Sequence, residues 1–238
     1  MKVLFKRLSY FLLVLILALI LPAGVFAGNP EKKFVNYVAL GDSLAAGWTP
    51  YGQDGLGYPE FLKDRFEQSQ YTVDFSNFGF PGYTSTDLKN QLNREDVKAS
   101  LRDANVITID IGANDLLRAL KINPSTTATA IYHVQQNLND ILYKIKALNP
   151  KAELYVMGYY NAFPYVSEQE QALLLPLLDS LNGVIQSVTL AYGGTYVSTE
   201  KIIAKKFEEY LPNPLDIHLS TTGYQLIAKE FWKAIVSH

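Results

Sequence analysis

The chain is expected to fold as an α/β protein, a three-layer αβα sandwich around a five-stranded parallel sheet, and three observations lead there. Apolar, β-branched runs alternate with amphipathic or capped stretches along nearly the whole sequence. The strand-like runs are mostly apolar and β-branched, as buried strands are. Glycine-containing polar motifs follow the runs directly, so they leave one edge of the sheet, the carboxyl edge where open α/β sheets bind ligands.

The elements follow in order. Residues 35–40 form the first strand, closed by the Gly41 turn and followed by a glycine-rich loop, 47–57. Residues 59–68 place Phe61, Leu62 and Phe66 at helical spacing. Residues 71–75 are a second strand, after which Thr84, Ser85 and Thr86 can cap a helix reaching Leu92. Residues 106–111 are the third strand. A long helix opens at Asn123-Pro124, with proline in its first turn, and stops at Asn149-Pro150. Residues 154–158 are the fourth strand. Ser167-Glu168-Gln169-Glu170 is a capping box opening a helix that Pro176 kinks. A short fifth strand, 195–197, and a closing helix, 224–236, complete the pattern, with no repeat and no second domain.

The first 27 residues have another purpose. Lys2, Lys6 and Arg7 precede an apolar segment, residues 8–21, relieved only by Ser9 and Tyr10; Pro22 and the small-residue exit Val25-Phe26-Ala27 follow. That layout predicts a secretory signal over residues 1–27 and a single domain over 28–238. The alternative is an uncleaved anchor, since the apolar stretch approaches spanning length. With no cysteine, there is neither a disulfide framework nor an acylated-cysteine anchor. Export without disulfides points to a bacterial extracytoplasmic protein, secreted or held at the surface. Without the leader, 211 residues remain; they keep all 23 acidic side chains and lose three basic ones, for a net charge of −5. One domain of this size buries roughly 70% of its unfolded surface and needs no staple. The acidic balance gives no reason to bind nucleic acid. Three histidines without cysteine speak against a metal site, and neither metal nor cofactor is expected. The chain is expected to be a monomer.

The motifs carry the chemistry. Ser43, in Gly41-Asp42-Ser43-Leu44, ends the first strand in a glycine turn that exposes a hydroxyl and backbone N–H groups at the sheet edge. By itself this also reads as an ordinary βα turn with a capping serine. Asn114, in Gly112-Ala113-Asn114-Asp115, follows the third strand, where a side-chain amide can donate to a developing oxyanion, or the motif can be a helix cap. Gly82 follows the second strand in a Pro81-Gly82 turn, where its N–H can point into the same site, or the pair can be a simple turn. Of the three histidines, His238 is terminal and His133 falls inside the long helix. His218 lies before the last helix with Asp216 two residues upstream, so His218 is the candidate base for Ser43 and Asp216 its orienting carboxylate.

These residues in this order resemble the GDSL, or SGNH, hydrolases: Ser43 in Gly-Asp-Ser-Leu, Gly82 in the second block, Asn114 in Gly-Ala-Asn-Asp, and His218. The resemblance spans residues 37–232. It implies a flavodoxin-like five-stranded sheet, a serine ester hydrolase, and an oxyanion hole made of the Ser43 N–H, the Gly82 N–H and the Asn114 side chain. Two positions depart from the family pattern. The aspartate usually stands three residues before the histidine, where this chain has Leu215, and the proline often found after the histidine is Leu219. A Ser–His dyad without Asp216 is the fallback. The lipase-type Gly-x-Ser-x-Gly elbow is absent.

The substrate is less legible. Leu116, Leu117 and Leu120, with the leucine-rich stretch 172–178, can line an acyl groove or form a lid, or can be plain core. Tyrosines and Trp48 can equally stack on sugar rings. The expected function is therefore cleavage of acyl esters, as a lipase or acylhydrolase acting on a small-molecule or lipid ester, with a membrane surface or the cell wall as places where substrate could lie. The alternatives are an O-acetyl esterase of cell-wall or other polysaccharide, and a non-catalytic glycan- or lipid-binding surface module.

Overall fold

Five parallel strands make the frame: β1 (Lys33–Gly41), β2 (Tyr71–Asn77), β3 (Val106–Asp110), β4 (Glu153–Gly158) and β5 (Thr195–Ser198), in the order β2-β1-β3-β4-β5. The structure is a computed structural model describing residues 33–237, so the expected leader over residues 1–27, and His238, lie outside the described residues. Chain order reverses direction between β1 and β3, and the crevice above such a reversal is where doubly wound sheets hold ligands. The register pairs Gly41 with Asp110 and Ala39 with Asn77, so the loops after three strands start level with one another.

The helices cover both faces. On one side α2 (Tyr58–Gln68) packs against α10 (Thr221–Val236). On the other, α6 (Thr127–Leu148) is the hub, touched by α3 (Ser85–Gln91), α4 (Glu95–Asp103), α5 (Ala113–Ile122) and α7 (Glu168–Ala191). Three short helices remain: α1 (Ser43–Ala46), α8 (Glu200–Ala204) and α9 (Phe207–Tyr210). All five residues of β3 are buried, as a central strand covered on both faces requires, Thr108 and Asp110 included. The core is apolar with a few paired polar groups; Tyr37, fully buried, bonds Thr108 at 2.9 Å.

Strand positions match the sequence pattern to within one or two residues, and Ser167 caps α7 in the expected capping box. The differences lie in the helices. α5 occupies a stretch not assigned to any element, because its N-cap is Gly112, at φ +116°, with no capping side chain to announce it. α4 starts behind Arg94, again without a side-chain cap. The long helix begins at Thr127, after a 3-10 turn over Pro124–Thr126, and α10 begins at Thr221 because Ser220 caps it through Gly223 N–H. Pro176 is inside α7, as expected.

Candidate active site

The first piece is a strand-to-helix turn. β1 ends at Gly41, Asp42 is the N-cap of α1, and Ser43 is the first residue of α1. The Asp42 carboxylate accepts Leu44 N–H at 3.0 Å and the Tyr159 hydroxyl at 2.7 Å. Beneath the turn, Asp110 at the end of β3 accepts the Asp42 N–H at 3.2 Å, the Ala45 N–H at 3.3 Å and the Tyr58 hydroxyl at 2.7 Å. A Cβ at position 41 would come within 2.3 Å of Asp110 Oδ1, so the glycine of this motif is demanded by the carboxyl packed against it. Burial pushes both carboxyls up from the ordinary aspartate range, Asp110 well above it.

The second piece is the loop before α10. His218 Nε2 lies 2.8 Å from Ser43 Oγ, and His218 Nδ1 lies 2.7 Å from Asp216 Oδ1. Asp216 Oδ1 also accepts the His218 backbone N–H at 2.8 Å. A carboxylate only accepts, so Nδ1 carries the proton and Nε2 is left to accept from the serine hydroxyl. The loop is held from outside: Tyr160 donates its hydroxyl to Ile217 O at 2.8 Å, and Asn213 donates to Pro50 O at 2.7 Å. Leu219, fully buried, anchors its end. The slip from minus three to minus two is thus absorbed by a tight Asx turn, and Asp216 reaches the ring. His133 is exposed on α6, away from this group.

The third piece is the start of α5 and the loop it holds. Asn114 Nδ2 donates to Tyr83 O at 2.9 Å, which leaves its second amide hydrogen free. Arg118, one turn along α5, donates to Gly82 O at 2.7 Å. Asp115 receives both the N–H and the hydroxyl of Ser85, at 2.8 and 2.7 Å, and Asn137 supports that hydroxyl at 2.9 Å. Gly82 sits at φ +81°, a conformation that selects glycine. Among the described residues no hydrogen bond takes up the N–H of Ser43 or of Gly82.

Beside Ser43 and Asn114 opens a narrow, apolar cleft. Its walls are Leu116, Leu117 and Leu120 of α5 facing Leu174, Leu175 and Leu178 of α7. Both leucine groups singled out in the sequence therefore line the cleft beside Ser43. Trp48 is outside this lining, and its carbonyl accepts the Tyr224 hydroxyl at 2.6 Å. Among the described residues no cluster of histidine, aspartate and glutamate is arranged to hold a metal ion.

The structure thus joins Ser43, His218 and Asp216 in one hydrogen-bonded line, places Asn114 in the same cleft as Ser43, and ties Gly82 to α5. Sequence reasoning missed Asp110, Tyr58, Tyr159, Tyr160 and Arg118. Tyr159 and Tyr160 directly follow β4 at the carboxyl edge, and that position was the available signal. Arg118 stands four residues after Asn114, visible only once α5 is known to be a helix.

Comparison with known proteins agrees with this geometry. The sequence matches the GDSL-like Lipase/Acylhydrolase family over residues 39–226. It is 28% identical to YpmR of Bacillus subtilis, covering 86% of this chain and 82% of that protein. It is 24% identical to the spore germination lipase LipC of Bacillus licheniformis, over 82% and 94% of the two chains. Among solved structures, the lipase Lip_vut3 from a goat rumen metagenome superposes with a TM-score of 0.73 at 24% identity, covering 85% of this chain and 97% of that one. With the motif order, the five-stranded sheet and the Ser43 turn all in place, the chain belongs to the GDSL-like lipase/acylhydrolase family and is an ester hydrolase of the GDSL/SGNH type.

Proposed function

We propose that this protein is a secreted serine esterase that cleaves esters of medium-length acyl chains through an acyl-enzyme on Ser43. The observation that carries the reading is the 2.8 Å contact from Ser43 Oγ to His218 Nε2, backed by the 2.7 Å contact from His218 Nδ1 to Asp216. Ser43 Oγ attacks the ester carbonyl carbon while His218 Nε2 takes the hydroxyl proton. The carbonyl oxygen becomes an oxyanion held by the Ser43 N–H, the Gly82 N–H and the free amide hydrogen of Asn114. On collapse the bond to the alcohol oxygen breaks, and His218 returns its proton to that oxygen. Water then attacks the acyl-enzyme, gives its proton to His218, and the carboxylic acid leaves as Ser43 regains its hydrogen. Asp216 fixes the ring tautomer and stabilises the imidazolium in both halves.

The acyl part lies between α5 and α7. The apolar wall from Asn114 to Leu120 is about 9 Å long by helical rise, roughly the length of an extended chain of seven or eight carbons. The leucines of α5 and α7 that face each other across the cleft give each methylene apolar surface to bury, worth about 0.8 kcal/mol apiece, which an acetyl group cannot collect. The leader pattern over residues 1–27 supports export of the domain.

The test is hydrolysis of aryl esters from acetyl to dodecanoyl by the purified mature domain, with mass mapping of a fluorophosphonate adduct. Expected are a rate maximum near octanoyl and a single adduct on Ser43. Hydrolysis that survives in Ser43→Ala overturns the mechanism, and a maximum at acetyl overturns the substrate assignment.

A further inference from the structure

Two aspartates lie buried beneath the Ser43 turn, and the reaction as derived above uses neither. Asp42 is 2% exposed and Asp110 fully buried. Neither is ion-paired with lysine or arginine among the described residues. The groups facing them are phenols from four parts of the fold and one imidazole: Tyr37 of β1, Tyr58 of α2, Tyr159 and Tyr160 after β4, Tyr224 of α10, and His218. Two carboxylates side by side in a dry interior, with no resident cation, cannot both be ionised. The donor count does not divide the charge between them, since three donors reach Asp110 and two reach Asp42. Only Asp42 has the His218 imidazole within its field, so Asp42 holds the charge and Asp110 is left with the proton.

Asp110 also does something Asp42 does not. It spans the turn from below, taking N–H groups on both sides of Ser43, those of Asp42 and Ala45, while Tyr58 fixes its far oxygen. Its bulk selects glycine at position 41. We propose that Asp110 is a positioning residue for the nucleophile, acting as the neutral, protonated member of a one-proton pair with Asp42 and setting the height and tilt of the Ser43 turn against His218 and the oxyanion donors. The inference rests on Ser43 being the nucleophile. It assigns to the last residue of β3 a role in the reaction rather than in the fold alone.

The proton makes this testable, because asparagine copies a protonated aspartate and alanine does not. Asp110→Asn is expected to keep kcat within about threefold of wild type at pH 7. Asp110→Ala is expected to lose about 10–100-fold in kcat with KM nearly unchanged, the scale of a small misplacement of a reacting group. Infrared spectra of the wild type at pH 8 are expected to contain the C=O stretch of a protonated carboxyl that Asp110→Asn lacks. A folded Asp110→Asn as slow as Asp110→Ala overturns the proposal, as does an Asp110→Ala of wild-type kcat. A wild type whose carboxyls are all ionised at pH 8 overturns it however the variants fold. Full hydrolysis by Ser43→Ala would instead remove the underlying mechanism, and the infrared band would stand or fall independently.

Stability gives a second readout. Both folded pKa values are raised, so the folded pair holds more protons than the unfolded chain once pH exceeds the ordinary aspartate range. Stability from this pair is therefore greatest in acid and declines as pH rises towards the raised pKa of Asp110. Asp110→Asn is expected to flatten that decline in denaturant titrations between pH 5 and 8.

Discussion

The two sides of Ser43 are built on opposite principles. Towards His218 and Asp110 almost every polar atom is fixed by a named partner at 2.7–3.3 Å, drawn from α1 and its cap, β3, α2, the segment after β4 and the loop before α10. Towards α5 and α7 the cleft wall is mostly leucine, whose side chains make no hydrogen bonds. Hydrogen bonds fail abruptly when their geometry is lost, whereas apolar burial declines in proportion to area. The polar side should therefore respond to substitution as a switch, and the leucine side as a scale.

That contrast can be broken most sharply at Asp216. Asp216→Asn keeps the shape but reverses which ring nitrogen is favoured to carry the proton, and a loss of about 10³–10⁴ in kcat is expected, equal for every acyl length. Near-wild-type turnover would mean that a Ser–His dyad suffices. Asn114→Ala is next: removal of one oxyanion donor should lower kcat about 10²–10³-fold with KM little moved, read from steady-state kinetics on octanoyl and acetyl esters alike. The leucine wall should behave differently. Leu178→Trp, which narrows the leucine wall of the cleft, is expected to cut the octanoyl-to-acetyl ratio of kcat/KM about 10–100-fold while leaving acetyl turnover within a few-fold. Equal loss on both esters would erase the distinction between the two sides.

The same division explains what could be read from the sequence. Strands were legible because burial on both faces writes a mostly apolar, β-branched run, as in residues 106–110. Ser43, Asn114, Asp216 and His218 were legible because each belongs to a short motif at the end of a strand or ahead of a helix. Helix α5 was legible only as the helix-cap alternative for its motif, since its start is a glycine at positive φ with no capping side chain. With α5 unassigned, Arg118 could not be placed one turn from Asn114, nor tied to Gly82. Asp110 was read only as the tail of an apolar strand, because a buried acid gives no periodic signal and its partners Tyr58 and Asp42 are more than fifty residues away. The leucine wall was visible as composition but not as a surface, because apolar runs look alike whether they fill a core or line a cleft.

Asp216 Oδ1 holds both the ring and the backbone of His218, so carboxylate and imidazole form a tripeptide cassette closed by its own hydrogen bonds and pinned from outside by the Tyr160 hydroxyl on Ile217 O. An outward swing of the segment would part the outer pin and the imidazole–hydroxyl contact while the cassette itself travels intact. Re-engagement then needs only docking, with no search over ring orientations.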